Sequence, residues 1–383
     1  MKKRLTLKNF GIPTSLWARL FIVVALLEVF AIICIQGYVI KRTVDIYKNG
    51  TESLWGFGVQ NTNGTMTITQ ESFIVYDVIF IVAQFFLLML CWEAVAHKNT
   101  IQIIAATLFN VMCLIYSLIQ YTTFYIHPSA SAGIFQKDND MRILQITTMV
   151  VYALCSIAFA TLTWELYQLF GWQTYKKLGA NLALRRAYKW HQILLTLLKL
   201  DIFFFISYSV QLATLVLRVS DPETWVQIGV VIPGSIVFLV LSFWALKVEK
   251  RVVMIVVIVC LGLSPAYFIY KLVRMNVGID KNNDPYLDSR KYLTFFIVVT
   301  LALILVTVYV SIRCYRNFGI GLKEAISDYD ARKAQLKANN LLLGNGRGRG
   351  DSGVEGSSSH HHHHHHHNDN DEYTQVHERF ALE

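Results

Sequence analysis

The sequence predicts an all-α fold, a polytopic transmembrane helix bundle of about eight spans, and three observations carry that prediction. Eight apolar stretches are each long enough to cross a bilayer core roughly 30 Å thick, which takes about 20 helical residues. Apolar residues make up 54% of the 383-residue chain and charged residues 16%, below the charged fraction of about a quarter found in soluble domains. The connectors between the stretches alternate between basic and charge-balanced. Stretches this long satisfy their own backbone hydrogen bonds as helices, whereas barrel strands would be shorter and strictly alternating. A soluble protein would need eight buried helices far longer than the usual three turns and with few polar faces.

Residues 1–16 form a basic cytosolic segment, and the first span follows at residues 17–40. That span is too long for a cleaved secretory signal and lacks a small-residue cleavage site, so it reads as an uncleaved signal anchor. It carries Glu28 about 16 Å along the helix from Trp17. A carboxyl at that depth is costly: it is protonated, paired with a polar group on another helix, or open to a water-filled cavity.

The second span, residues 73–96, has Asp77 near one end and Glu93 near the other, positions that suit solvated helix ends. A tight hairpin at residues 97–100 leads into the third, residues 101–126, and forces the two to pack antiparallel. The fourth, residues 143–170, ends near Trp164 and Glu165, in the setting of an interfacial belt. The fifth, residues 193–217, contains Lys199 and Asp201, two positions apart and so on nearly opposite sides of the helix. Lys199 can snorkel to the surface, which leaves Asp201 as the more buried candidate. A seven-span alternative would drop a segment, most readily this fifth one.

The sixth and seventh spans, residues 225–246 and 252–272, contain Pro233 and Pro265. These prolines either interrupt their helices, as at a transporter's midplane site, or only kink them. The eighth span covers residues 292–312. Beyond Gly321 the chain turns polar, with Gly-Arg repeats, eight histidines at residues 360–367 and an acidic end. Residues 322–383 have too few apolar side chains to offset chain entropy and are expected to be disordered and cytosolic. The histidine run is a neutral expansion, a purification tag or a metal-binding tract.

Orientation follows from Lys and Arg near the span ends. The connectors holding Lys2, Lys3 and Arg4, then Lys176, Lys177, Arg185 and Arg186, then Arg313 and Arg316, are the more basic set and should face the cytosol. The sequons at Asn49 and Asn63 fall in the first loop of the opposite set, so both are candidate lumenal glycosylation sites, with Asn49 close to the membrane. That loop, residues 41–72, is long enough only for a small cap. Both termini are then cytosolic. Five of the six cysteines lie in predicted spans and Cys314 just beyond the last, so no disulfide framework is expected.

The expected partner is the lipid bilayer. Anionic lipid at the cytosolic leaflet would meet the basic, apolar-interspersed stretch of residues 175–192. The basic residues serve topology and not nucleic acid. The sequence has no His-Glu-x-x-His helix, no Gly-x-Ser-x-Gly elbow and no phosphate-cradling glycine loop. Outside the run only His97, His127, His191 and His377 remain, scattered over different segments. No catalytic, cofactor or metal site is assigned; Glu28 and Asp201 are the intramembrane polar candidates.

Trp92-Glu93, His97-Lys98-Asn99-Thr100-Ile101-Gln102, Asn110 and Gln120-Tyr121 together resemble a fungal family of uncharacterised multi-pass Golgi apparatus membrane proteins. Tyr175-Lys176-Lys177-Leu178-Gly179-Ala180, Arg185-Arg186-Ala187-Tyr188, the run from Leu198 to Phe205, Gln211 and Ile232-Pro233 are similar to its later segments. The resemblance covers residues 17–321 and excludes the tail. It implies a Golgi membrane location and carries no active site with it. The expected function is therefore a non-enzymatic trafficking, scaffold or receptor-like component. The rival is a small-solute or ion transporter that uses Glu28, Asp201 and the two proline-containing helices, and an intramembrane enzyme stands third.

Overall fold

The long apolar runs fold as helices because only a helix closes every backbone hydrogen bond within its own segment. The computed structural model describes residues 15–54, 67–126, 139–178, 182–215, 229, 231–248, 250–276, 290–319 and 335, and among them there is no strand. The helices are α1 (Leu16–Leu54), α2 (Thr67–Ala96), α3 (Thr100–Tyr121), α4 (Asn139–Leu178), α5 (Leu182–Leu215), α6 (Ile232–Val248), α7 (Arg251–Asn276) and α8 (Arg290–Arg316). A π-helical turn, Thr122–Ile126, extends α3. The chain divides into two units, Met1–Ser327 and Asp328–Glu383, and the second is described only at Gln335. Residues 1–14, Asn63 and the histidine run lie outside the described residues.

Seven of the helices are long and apolar enough to span a bilayer by themselves. The short one is α6, not the fifth segment that the seven-span alternative would drop. The 17 residues of α6 rise about 25 Å at 1.5 Å each, at the lower limit for a crossing. The fifth segment instead runs unbroken for 34 residues, because Lys199 and Asp201 find partners inside the protein. The first connector is also shorter than expected. Helix α1 runs on to Leu54 and α2 begins at Thr67, so Asn49 belongs to the last turns of a helix.

The helices form two rings of four. In the first, α1 packs on α2, α2 on α3, α3 on α4 and α4 on α1; in the second, α5 packs on α6, α6 on α7, α7 on α8 and α8 on α5. Directions alternate around each ring. Arg42 late in α1 lies 3.9 Å from Asp140 at the start of α4, and Arg251 at the start of α7 donates to the Phe318 carbonyl just past α8. The rings meet where α5 and α8 pack on α2 and α3. An aromatic seam fills that junction: Phe203 stacks on Phe86 at 4.8 Å and meets Phe109 edge-on at 4.9 Å, and Tyr76 stacks on Tyr292 at 3.9 Å. Offset and edge-to-face pairs of this kind add about 0.5–1.5 kcal/mol each beyond area burial.

The ring surfaces are inverted relative to a soluble protein. Phe30 is 72% exposed, whereas Glu28 two positions earlier is 1% exposed. Val237 on α6 and Leu263 on α7 likewise turn outward, an arrangement that suits lipid and not water. Neither proline breaks its helix among the described residues. Pro233 is the second residue of α6, where a missing N–H costs little. Pro265 lies inside an unbroken α7 and deprives the Leu261 carbonyl of its usual donor. The Ser264 hydroxyl supplies one at 2.8 Å.

Candidate ligand site and intramembrane polar network

Helix α3 threads the first ring with three side-chain amides, each donating to a carboxylate on another helix. Gln102 donates to Glu93 Oε2 on α2 at 3.0 Å, Asn110 to Glu28 Oε2 on α1 at 3.0 Å, and Gln120 to Asp77 Oδ1 on α2 at 3.0 Å. From Gln102 to Gln120 is 18 residues, five full turns and about 27 Å, so the ladder spans nearly the whole hydrocarbon thickness. Glu28 and Asn110 join α1 to α3, which are not neighbours around the ring. At the same centre Gln84 on α2 donates to the Tyr152 hydroxyl on α4 at 2.9 Å, with Gln84 and Cys155 flanking the Glu28 carboxyl. Both diagonals of the first ring are therefore fastened by polar side chains in a buried layer. Such layers fix the register of packed helices.

Two readings made from residue position change here. Asp77 is buried and bonded to Gln120, not set at a solvated helix end. Lys199 does not reach for the surface: its Nζ lies 2.5 Å from Glu93 Oε1 and 3.4 Å from Gln102 Oε1. The side chains of Lys199 and Glu93 are 15% and 32% exposed, so an ion pair ties α5 of the second ring to α2 of the first. Asn99 reinforces the tie. Its Oδ1 caps α3 by accepting from the Ile101 amide at 3.1 Å, and its Nδ2 donates to Gln192 of α5 at 2.8 Å. Glu165 remains partly exposed on α4.

Asp201, two positions past Lys199, turns the other way, into the second ring. The Thr307 hydroxyl of α8 donates to its Oδ2 at 2.7 Å, while Oδ1 has no hydrogen-bond partner among the described residues. The centre of this ring is hollow. A cavity of about 310 Å³ is walled by all four helices: Asp201 and Phe205 from α5, Gly234, Ser235 and Phe238 from α6, Cys260 and Ser264 from α7, Thr300 and Ile304 from α8. That volume lies at the lower end of small-molecule sites, roughly 300–1,000 Å³. A second cavity, about 20 Å³ in the aromatic seam, has room for about one water and an apolar wall that gives it no partner.

The two polar candidates are thus in different places. Glu28 sits in the packed centre of the first ring, and Asp201 faces the open centre of the second beside both proline-containing helices. The constellation expected for a transporter is split accordingly: Asp201 keeps the two prolines and Glu28 stands apart. Asn110 and Gln120 enter the sequence analysis only through the family resemblance and Thr307 not at all, because uncharged polar residues inside an apolar run give no sign of their partners. Lys271, read from sequence only as one of the basic residues at a span end, is 3% exposed with its Nζ 5.8 Å from the Tyr267 ring centroid. No group of three or more His, Cys, Asp or Glu converges among the described residues.

Paired four-helix rings with lipid-facing apolar surfaces and buried carboxylates define a multi-pass helical membrane protein. The chain is 30% identical over 331 residues, 79% of its length and 88% of its relative's, to a UPF0658 Golgi apparatus membrane protein of Schizosaccharomyces pombe. It belongs to that family of Golgi apparatus membrane proteins. No protein-family model matches the chain, and no solved structure matches it at significance.

Proposed function

We propose that this protein is a non-enzymatic carrier of small solutes in the Golgi membrane, with its substrate site at the centre of the second ring and both termini in the cytosol. The cavity at Asp201 is the observation that carries this reading. A helix bundle serving only as a scaffold gains nothing from a hollow core, and each void forfeits packing energy. Proline-bearing α6 and α7 supply part of the wall, although neither helix is broken as the interrupted helices of many carriers are. The non-enzymatic part rests on the dispersal of Glu28, Asp77, Glu93 and Asp201 to separate partners on separate helices. The cytosolic termini rest on the excess of Lys and Arg at one set of span ends. Arg185 and Arg186 in the first turns of α5 suit anionic lipid heads on that face.

A trafficking, scaffold or receptor-like role is the second reading, favoured by the fastened centre of the first ring. Cys260 separates the two, because it lines the cavity and is exposed. In a chain whose other five cysteines are replaced by Ala, a membrane-impermeant cationic methanethiosulfonate should modify Cys260 when supplied outside sealed vesicles and also when trapped inside. Reaction from one face only supports the receptor-like role, and no reaction from either face removes the carrier.

A further inference from the structure

The chemistry of the cavity wall selects its ligand. Asp201 is 3% exposed and its Oδ1 has no hydrogen-bond partner among the described residues, so that oxygen has lost water without gaining a donor, at a cost in free energy that a ligand's donor would relieve. Ser235, Ser264 and Thr300 have each committed their hydroxyl hydrogens to backbone carbonyls, those of Ile232, Leu261 and Phe296. They turn only lone pairs toward the cavity. Phe205 and Phe238 add aromatic rings, which favour a cation over an anion, and the remaining wall is apolar. Among the side chains of this wall only the Cys260 thiol, a weak donor, keeps a hydrogen that is not already committed to a backbone carbonyl. Glu28 Oε1 in the first ring is also without a partner among the described residues, but Glu28 lines neither of the two cavities described above.

We propose that the cavity binds a small amphipathic amine, its ammonium group donating to Asp201 Oδ1 and its apolar body lying between Phe205, Phe238 and Ile304. The ligand class rests on the carrier reading for its biological use and on the donor–acceptor inventory for its chemistry. Gly234 gives an independent handle on the space. A Cβ built there meets nothing within 4 Å, so Gly234→Leu starts its side chain in open space on the cavity wall.

The test uses the full-length chain in lipid nanodiscs with three probes that share a six-carbon body: hexylamine, hexanol and hexanoate. Two readouts are taken, the shift in thermal unfolding midpoint and protection of Cys260 from the cationic thiosulfonate. Hexylamine should stabilise and protect at a concentration about ten-fold lower than hexanol, the scale of one charge-assisted hydrogen bond, and hexanoate should do neither. Asp201→Asn should make hexylamine and hexanol equal. Gly234→Leu should abolish protection by both, which ties the effect to the cavity and not to probe dissolved in the lipid. Hexanoate acting as well as hexylamine, or the amine keeping its advantage in Asp201→Asn, overturns the proposal. If Asp201→Asn does not fold, the wild-type order of the three probes together with Gly234→Leu decides. A Cys260 that never reacts removes the carrier reading, while the midpoint shifts still judge the ligand class. A reactive Cys260 that hexylamine neither protects nor stabilises removes the amine and leaves the carrier.

Discussion

Replacing Asn110 with Leu should lower the stability of the protein by about 1–3 kcal/mol, the cost of leaving a buried acceptor without its donor. Glu28 is fully buried and Asn110 Nδ2 donates to it across the centre of the first ring. Leu offers similar bulk and no hydrogen, so the loss reports the bond and not a cavity. Adding Glu28→Met should recover most of the stability, because a buried polar pair replaced as a unit by apolar side chains is often neutral. Reversible denaturation in mixed SDS micelles measures both. A single variant as stable as wild type, or a double variant worse than the sum of the two singles, would mean that the bond does not fasten α1 to α3.

The second large effect belongs to Lys199. Lys199→Met strips the cation from Glu93 and Gln102 and should cost about 1–3 kcal/mol. That is below the roughly 3–5 kcal/mol of a fully buried pair, since Glu93 keeps about a third of its side chain exposed to solvent screening. Glu93→Gln in the Lys199→Met background should restore part of the loss, because an amide facing Gln102 needs no cation. A double-mutant cycle on the same denaturation assay should return a coupling of about 1 kcal/mol or more. Coupling within about 0.3 kcal/mol of zero would return Glu93 to the status of a solvated helix end and unfasten the two rings there.

The helices were legible because apolarity over about 20 residues reports contact with lipid. The same signal stops at the membrane surface, which is why α1 continues past residue 40 to Leu54 and why Asn49 lies on a helix. Position along the chain put Glu28 and Asp201 inside predicted spans, and both are buried in the fold; two-residue spacing was enough to send Lys199 and Asp201 to different neighbours. Neighbour identity was not legible. Gln102, Asn110 and Gln120 form one ladder only once α3 is set between α1 and α2. The resemblance to a Golgi family had marked these three residues without a reason. In the fold they are the donors that three carboxylates require. The cavity was least legible of all, because hollowness is a property of four helices together and no single helix carries its sign.

The centre of the second ring is an intramembrane site only if α6, the short helix, crosses the bilayer. Its crossing makes the total eight and puts both chain ends on one face. With an epitope at each end of the full-length chain, protease added outside sealed Golgi vesicles should remove both together. Removal of one epitope with protection of the other gives an odd number of crossings, takes α6 out of the membrane and contradicts the carrier built around Asp201.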